Sequence, residues 1–320
     1  MALVREGLDR LASAAGAVGR AAVEVGRAGA YTARTVGTPS GLRGVAVEWA
    51  WLAAHLAVYP AGLLRETLVE SGDGYRTDPL PPERRGLLVA DPEGAGYPIL
   101  LVHGIMDNRS VFTVFRRALR RRGFGTVHAV NYSLFTDDVR TAAHELRGHV
   151  ERLRELTGAE RVHIVGHSLG GMIARYYVQR LGGSDVVDTL VTLGSPHTGS
   201  LSAYLMPTPL AAQLRPGSDL LRELEEPAPG CPTRFLVVWS RMDQMIVPQR
   251  NARLAHADLH VEHLELRDVG HLSLPIDPRS VHWVVSALAR SDHRRHPFRR
   301  GQALDNPRPT TFGQRSSPAS

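Results

Sequence analysis

Between residues 97 and 290, short apolar runs take turns with helical patterns, and this alternation constrains the chain more than anything else in it. The runs are Ile99–Val102, Thr126–Val130, Val162–Val165, Thr189–Leu193, Phe235–Trp239 and Val261–Leu266. Helical periodicity falls at Val111–Arg122, Val139–Leu156, Leu169–Leu181 and Val281–Ala289. A strand with one wet face alternates apolar and polar residues. These runs are mostly continuous, so both of their faces must be covered. Strand and helix in turn therefore predict an α/β fold, with a mostly parallel sheet and helices on both faces. A chain of 320 residues is long enough for one large domain of this kind plus extensions. No internal repeat of 20–50 residues is evident.

The flanks read differently. Val4, Leu8, Leu11, Ala15, Val18, Ala22 and Val25 recur in steps of four and three, which makes one apolar helical stripe. Residues 45–64 have the length of a bilayer span, but Glu48 and His55 lie inside them and Pro60 breaks them. Trp49, Trp51 and Tyr59 suit a membrane interface or a helix packed on the main domain. We therefore expect an N-terminal helical extension over residues 1–90, with a peripheral membrane contact through residues 1–64 left open. After Ser291 the composition turns to Arg, His, Pro, Ser and Gly, which cannot bury enough surface to offset ordering entropy, so residues 291–320 are expected to form a disordered basic tail. Charges at positions 5, 6, 9, 10, 20, 24 and 27 break up any signal-peptide pattern, which favours a cytoplasmic or membrane-associated protein.

Charge and cysteine usage exclude several classes. The net charge of +6 resides at the ends: residues 290–320 carry +5, residues 1–44 carry +3, and residues 45–289 carry −2. A nucleic-acid binder usually carries its positive charge on the folded face that docks, so no nucleic-acid partner is expected. The one cysteine, Cys231, excludes an internal disulfide framework and a cysteine-based structural zinc site.

The chemistry clusters where apolar runs end. Gly166-His167-Ser168-Leu169-Gly170-Gly171 follows the run Val162–Val165 and opens the helical pattern beginning at Met172. This is G-x-S-x-G in the strand–turn–helix context that presents a serine nucleophile at a helix N-terminus. A serine needs a histidine to take its proton and an acid to orient that histidine. In this chain order both lie beyond later strands. Asp243 follows the run Phe235–Trp239, and His271 follows Leu264–Leu266. Asp268 and Asp258 compete as the acid, and His256, His260, His263 and His282 compete as the base; His256 and His282 read as helical. An acyl-transfer oxyanion needs two backbone N–H donors, which fall to Leu169, after the serine, and to Ile105, in the loop after the first strand. His103 is assigned to packing beneath that loop, and His197 and Arg215 to structural roles.

Six spaced blocks then carry a resemblance: Leu101–Ile105, Gly166–Gly171, Leu193–Gly199, Gln213–Ser218, Ser240–Asp243 and Val269–His271. From about residue 97 to 290 the chain resembles the α/β-hydrolase superfamily, and within it bacterial triacylglycerol lipases and PGAP1-type deacylases; the hydrolase domain is expected over residues 91–290. The resemblance implies the α/β-hydrolase fold, a triad of Ser168, Asp243 and His271, and an oxyanion hole at Ile105 and Leu169. Relatives that bind calcium use acids near the histidine loop. No such pair is matched here, so neither a metal nor another cofactor is implied. Residues 198–230 separate two strands by an unusual length and hold Leu201, Tyr204, Leu205, Met206, Leu210, Leu214, Leu220, Leu221 and Leu224. An apolar cap there would offer Leu205, Met206 and Leu210 to an acyl chain. The expected activity is a serine carboxylic-ester hydrolase, lipase- or esterase-like, on hydrophobic or lipid esters. An acyltransferase or thioesterase with the same triad is the alternative, followed by a non-catalytic binding protein on this scaffold. The oligomeric state is not legible.

Overall fold

Ile99, Leu100, Leu101 and Val102 are each buried, although successive residues of a strand point to opposite faces. Leu100 and Val102 enter one interior cluster, and Ile99 and Leu101 enter another on the far side. The same split recurs at Ile164 and Val165, Leu190 and Val191, and Phe235 and Leu236. Continuous apolar runs are thus the signature of a sheet sandwiched between two helical layers.

The computed structural model describes residues 23, 26, 27, 29–31, 33–62, 96–105, 107–131 and 137–289. The apolar stripe from Val4 to Val25 falls outside them, as does the tail after Ser291. Helix α1 spans Pro39–Gly62. Strand β1 (Ile99–Val102) leads through a 3₁₀ turn, Arg109–Phe112, into α2 (Thr113–Arg121). Then come β2 (Val127–Val130), α3 (Val139–Thr157), β3 (Val162–His167), α4 (Leu169–Arg180) and β4 (Val187–Leu193). A 3₁₀ turn at Leu201–Leu205 and helices α5 (Pro209–Gln213) and α6 (Asp219–Glu225) precede β5 (Arg234–Ser240). Strand β6 (His260–Leu266) and α7 (Pro278–Leu288) complete the order.

The six strands run parallel in the order β2-β1-β3-β4-β5-β6. The chain leaves β1 toward β2 and returns past it to β3, so the winding direction reverses between β1 and β3. In open parallel sheets the crevice beyond the carboxyl ends at such a reversal is where ligands bind. Local signals fix the helix boundaries: the Asp138 side chain caps α3 and Gly158 ends it at φ 67°, while Asp277 and Pro278 start α7.

No helix among the described residues is long and apolar enough to cross a membrane. One expectation needs correction: His256 is not helical but lies in the loop before β6, where its Nε2 is 3.1 Å from the Glu226 carbonyl. The apolar residues between β4 and β5 also divide. Leu210, Leu214, Leu220, Leu221 and Leu224 are buried in the main interior, whereas Tyr204 and Leu205 are exposed.

Arg175 of α4 ties this insertion down. Its guanidinium is 2% exposed and donates to the carbonyls of His197 at 3.1 Å and Leu224 at 2.8 Å, and to Gln179 Oε1 at 2.6 Å. Burial pulls its pKa down to about 9, which still leaves it charged at neutral pH. Arg175→Leu keeps the volume but strands these acceptors, and should cost about 2–4 kcal/mol in urea denaturation. An unchanged midpoint would show that the insertion docks without it.

Candidate active site

Strand β3 ends in a turn that puts one residue in a conformation L-amino acids avoid. Ser168 has φ 54° and ψ −120°, the sole non-glycine residue with positive φ among the described residues. Such strain persists only where the surroundings enforce it, and it gathers at functional sites. The Ser168 N–H donates to the Leu193 carbonyl at 2.8 Å, which pins the turn to β4. Gly166 is needed for the turn to close, because a Cβ there would lie 2.4 Å from the Gly171 nitrogen. His167 and Leu169 are buried while Ser168 between them is half-buried, so the hydroxyl is presented at the N-terminus of α4.

The loop after β1 runs directly beside it. A Cβ on Gly104 would be 3.1 Å from the Ser168 Cβ, so this loop passes against the serine. His103 is fully buried, with Nδ1 2.9 Å from the Gly104 carbonyl, and burial lowers its pKa. It packs within the loop, as expected.

Beyond β5 and β6, Asp243 and His271 meet. His271 Nδ1 is 2.8 Å from Asp243 Oδ2, and both side chains are almost wholly buried. A carboxylate only accepts, so Nδ1 carries the proton and Nε2 is left with its lone pair. The other oxygen, Asp243 Oδ1, accepts from the backbone N–H groups of Met245 (2.8 Å) and Ile246 (2.9 Å). A buried carboxylate held by three donors keeps its charge without bulk water. Gly194, at φ 60°, lies against the pair: a Cβ there would come within 3.1 Å of both Asp243 Oδ2 and His271 Nδ1. Its neighbour Leu193 holds Ser168, so the ends of β3, β4, β5 and β6 converge on one point.

The competing residues are occupied elsewhere. Asp268 pairs with Arg279 at 2.7 Å, and Asp258 accepts from the Ala228 N–H at 2.8 Å. His260 and His282 are exposed, and His263 Nε2 accepts from the Leu254 N–H at 3.3 Å. His197 is bound through Nε2 to Thr192 Oγ1 at 2.9 Å, and the Arg215 guanidinium lies over the Tyr204 ring. The three residues expected to contact substrate occupy different environments: Leu205 is 84% exposed, Met206 is half-buried, and Leu210 packs in the core. One contact was not anticipated. Glu48 of α1 accepts hydrogen bonds from Leu272 and Ser273, immediately after His271. Its sequence signal is a lone acid in an apolar helix, which argues against membrane insertion and does not identify a partner.

A family model described as the α/β-hydrolase fold matches residues 97–221, the stretch that holds the loop after β1 and the Ser168 turn. The chain has the α/β-hydrolase fold. Solved structures agree: Aspergillus fumigatus lipase B superposes with a TM-score of 0.53 at 16% identity, covering 61% of this chain and 53% of that one. Bacillus licheniformis lipase BlEst2, in its propeptide form, gives 0.51 at 15% identity, over 61% and 51%. In sequence, the chain resembles bacterial lipases. Triacylglycerol lipases of Pseudarthrobacter phenanthrenivorans and Vibrio cholerae are 30% and 32% identical over 112 and 115 residues. These matches span 32% and 34% of this chain, and 34% and 36% of the relatives, well under half of their length. A lysosomal thioesterase, PPT2-B of Xenopus laevis, is 25% identical over 123 residues, 37% of this chain and 42% of that one.

In this α/β-hydrolase fold the histidines are electrically distinct. Burial holds the His167 pKa down to about 4, helped by the neighbouring His271, so its ring is neutral at physiological pH. For His271, burial is the largest single effect and pushes down, but the charge and hydrogen bond of Asp243, together with the charges of Glu48 and Asp107, outweigh it and raise the pKa above the ordinary 6.5. An NMR titration should therefore find His271 protonating above 6.5 on acidification, and His167 only near pH 4. Asp243→Asn removes the dominant counter-charge and leaves only Glu48 and Asp107 to oppose burial, so the His271 midpoint should fall below its wild-type position. A midpoint that stays in place would mean that Asp243 does not control this imidazole.

Proposed function

We propose that this protein is a serine carboxylic-ester hydrolase of lipase or esterase type, acting on hydrophobic or lipid esters. The observations that carry the reading are the strained, half-buried Ser168 and, against the ring of its chain neighbour His167, a histidine whose Nδ1 proton is held by the buried Asp243. His271 Nε2 takes the hydroxyl proton as Ser168 Oγ attacks the ester carbonyl. Negative charge then develops on the carbonyl oxygen, and the backbone N–H groups of Ile105 and Leu169 stabilise it. The imidazolium formed is stabilised by Asp243, and its Nε2 proton passes to the departing alkoxide. Water, deprotonated by the same nitrogen, cleaves the acyl-enzyme and releases the acid.

Residues 198–230 are assigned the role of a cap, with Leu205, Met206 and Leu210 as candidate acyl contacts. The adjacent Tyr204 and Leu205 support that assignment by offering apolar surface on the exposed side of this segment. The names of the bacterial lipase relatives favour an oxygen ester. The thioesterase relative favours a second reading, in which the same acyl-enzyme forms from a thioester.

Hydrolysis of p-nitrophenyl esters from acetate to palmitate tests the reading. Wild type should turn them over with a preference for longer chains, and Ser168→Ala should abolish turnover without altering the fold. Asp243→Asn should lower kcat by on the order of 10⁴, as in serine proteases, because the imidazole loses its orienting partner. Residual full activity in Ser168→Ala would remove the serine mechanism. Turnover restricted to acyl-thioesters would establish the second reading.

A further inference from the structure

The N-terminal helix α1 lies outside the stretch matched by the family model, yet it reaches the histidine loop. Its Glu48 carboxylate accepts from the Leu272 N–H at 2.8 Å, the Ser273 N–H at 2.9 Å and the Ser273 hydroxyl at 2.5 Å. These donors directly follow His271 in the chain. On the other side of the histidine, a Cβ added to Gly270 would lie 2.3 Å from the Glu48 Cδ, so the carboxylate packs against bare backbone there. One carboxylate therefore grips residues 270, 272 and 273 and encloses His271 between its contacts. One turn earlier on the same face, Gly44 sits so close to the Asp268 carbonyl that a Cβ would be 2.1 Å from it. A residue four positions away shares a helix face, so α1 meets this loop over at least one full turn. The helix also contacts the 3₁₀ turn Arg109–Phe112 that continues the loop beside Ser168.

We propose that Glu48 is a positioning residue for the reaction: it fixes the loop that carries His271 and adds a second negative charge behind the imidazole. This rests on the hydrolase reading only in giving His271 the role of base. The physical case has two parts. A base must be held to within a fraction of an ångström of its proton donor, and a displacement of about 1 Å can cost 100-fold in rate. Three hydrogen bonds to a carboxylate supply that restraint from a different part of the chain, and charge-assisted bonds are the stronger kind. The charge acts as well. The titratable groups around His271 are Asp243, Glu48, Asp107 and the neutral ring of His167, whose centroid is 4.9 Å away. All three acids favour the imidazolium, opposing burial.

A purely structural clamp would share the hydrogen bonds but not the electrical effect, and the test uses that difference. In the full chain, Glu48→Gln preserves shape and removes charge, together with at least one of the backbone hydrogen bonds, because the amide keeps only one acceptor oxygen. We expect the His271 imidazole to titrate at lower pH by NMR, and the acid limb of the kcat/KM profile to move down with it. We also expect kcat on p-nitrophenyl butyrate to fall by roughly tenfold, with KM little changed. Glu48→Asp keeps the charge and should leave the titration near wild type. If Glu48→Gln does not fold, Ser273→Ala retains both backbone bonds and should give a smaller fall in kcat at constant KM. A His271 titration and kcat indistinguishable from wild type in Glu48→Gln would overturn the proposal, as would an unchanged kcat in Ser273→Ala. The NMR titration needs no turnover. A wild type inactive on every ester would thus refute the hydrolase reading while the titration still decides the role of Glu48.

Discussion

Burial of the sheet on both faces is the constraint from which the rest of this molecule follows. Strands β1, β3, β4 and β5 have almost no exposed positions, so polar chemistry cannot be placed along them. It can appear only where strands end and the backbone turns. All strands run parallel, so their carboxyl ends share one edge, and the loops after β1, β3, β4, β5 and β6 face one another there. The reversal of winding between β1 and β3 opens the crevice at the point where Ser168 emerges.

Within that edge, burial works in two directions. It outweighs every other influence at His103, His167 and His197, whose pKa values are all lowered. It does the reverse at His271, where a carboxylate lies in the same low-dielectric surroundings and is itself held by backbone donors. The neutral His167 is part of the scaffold for His271, since its Nε2 donates to the His271 carbonyl at 3.2 Å. A carbonyl only accepts, and this fixes the tautomer of His167 as the Asp243 bond fixes that of His271.

The N-terminal helix gives the site a support that a matched core alone would lack. Its exposed Leu42, Val47 and Trp49 point away from the body, while Gly44 and Glu48 face it. The acid that makes this helix unsuited to a bilayer is the one that joins it to the histidine loop. An amphipathic pattern with so weak a stripe could not have revealed which face docks, because the docking contact is polar.

The sequence by itself determined the fold class, the positions of the strands to within two residues at their ends, and the Ser168 turn. Each of these is local: apolar continuity, glycine spacing and strand–turn–helix order are written in neighbouring residues. It also ordered Asp243 and His271 after the correct strands, because chain order and strand order coincide on that side of the sheet. Only the tertiary structure decided which acid meets the histidine, since Asp268, three residues from His271, turns instead to Arg279, and Asp243, twenty-eight residues away, closes the pair. It alone separated Leu210 in the core from Leu205 in solvent within one apolar segment. And it alone brought Glu48 to Leu272 and Ser273, across more than two hundred residues. Contacts at that separation depend on how whole elements dock, and no periodicity within an element encodes its partner.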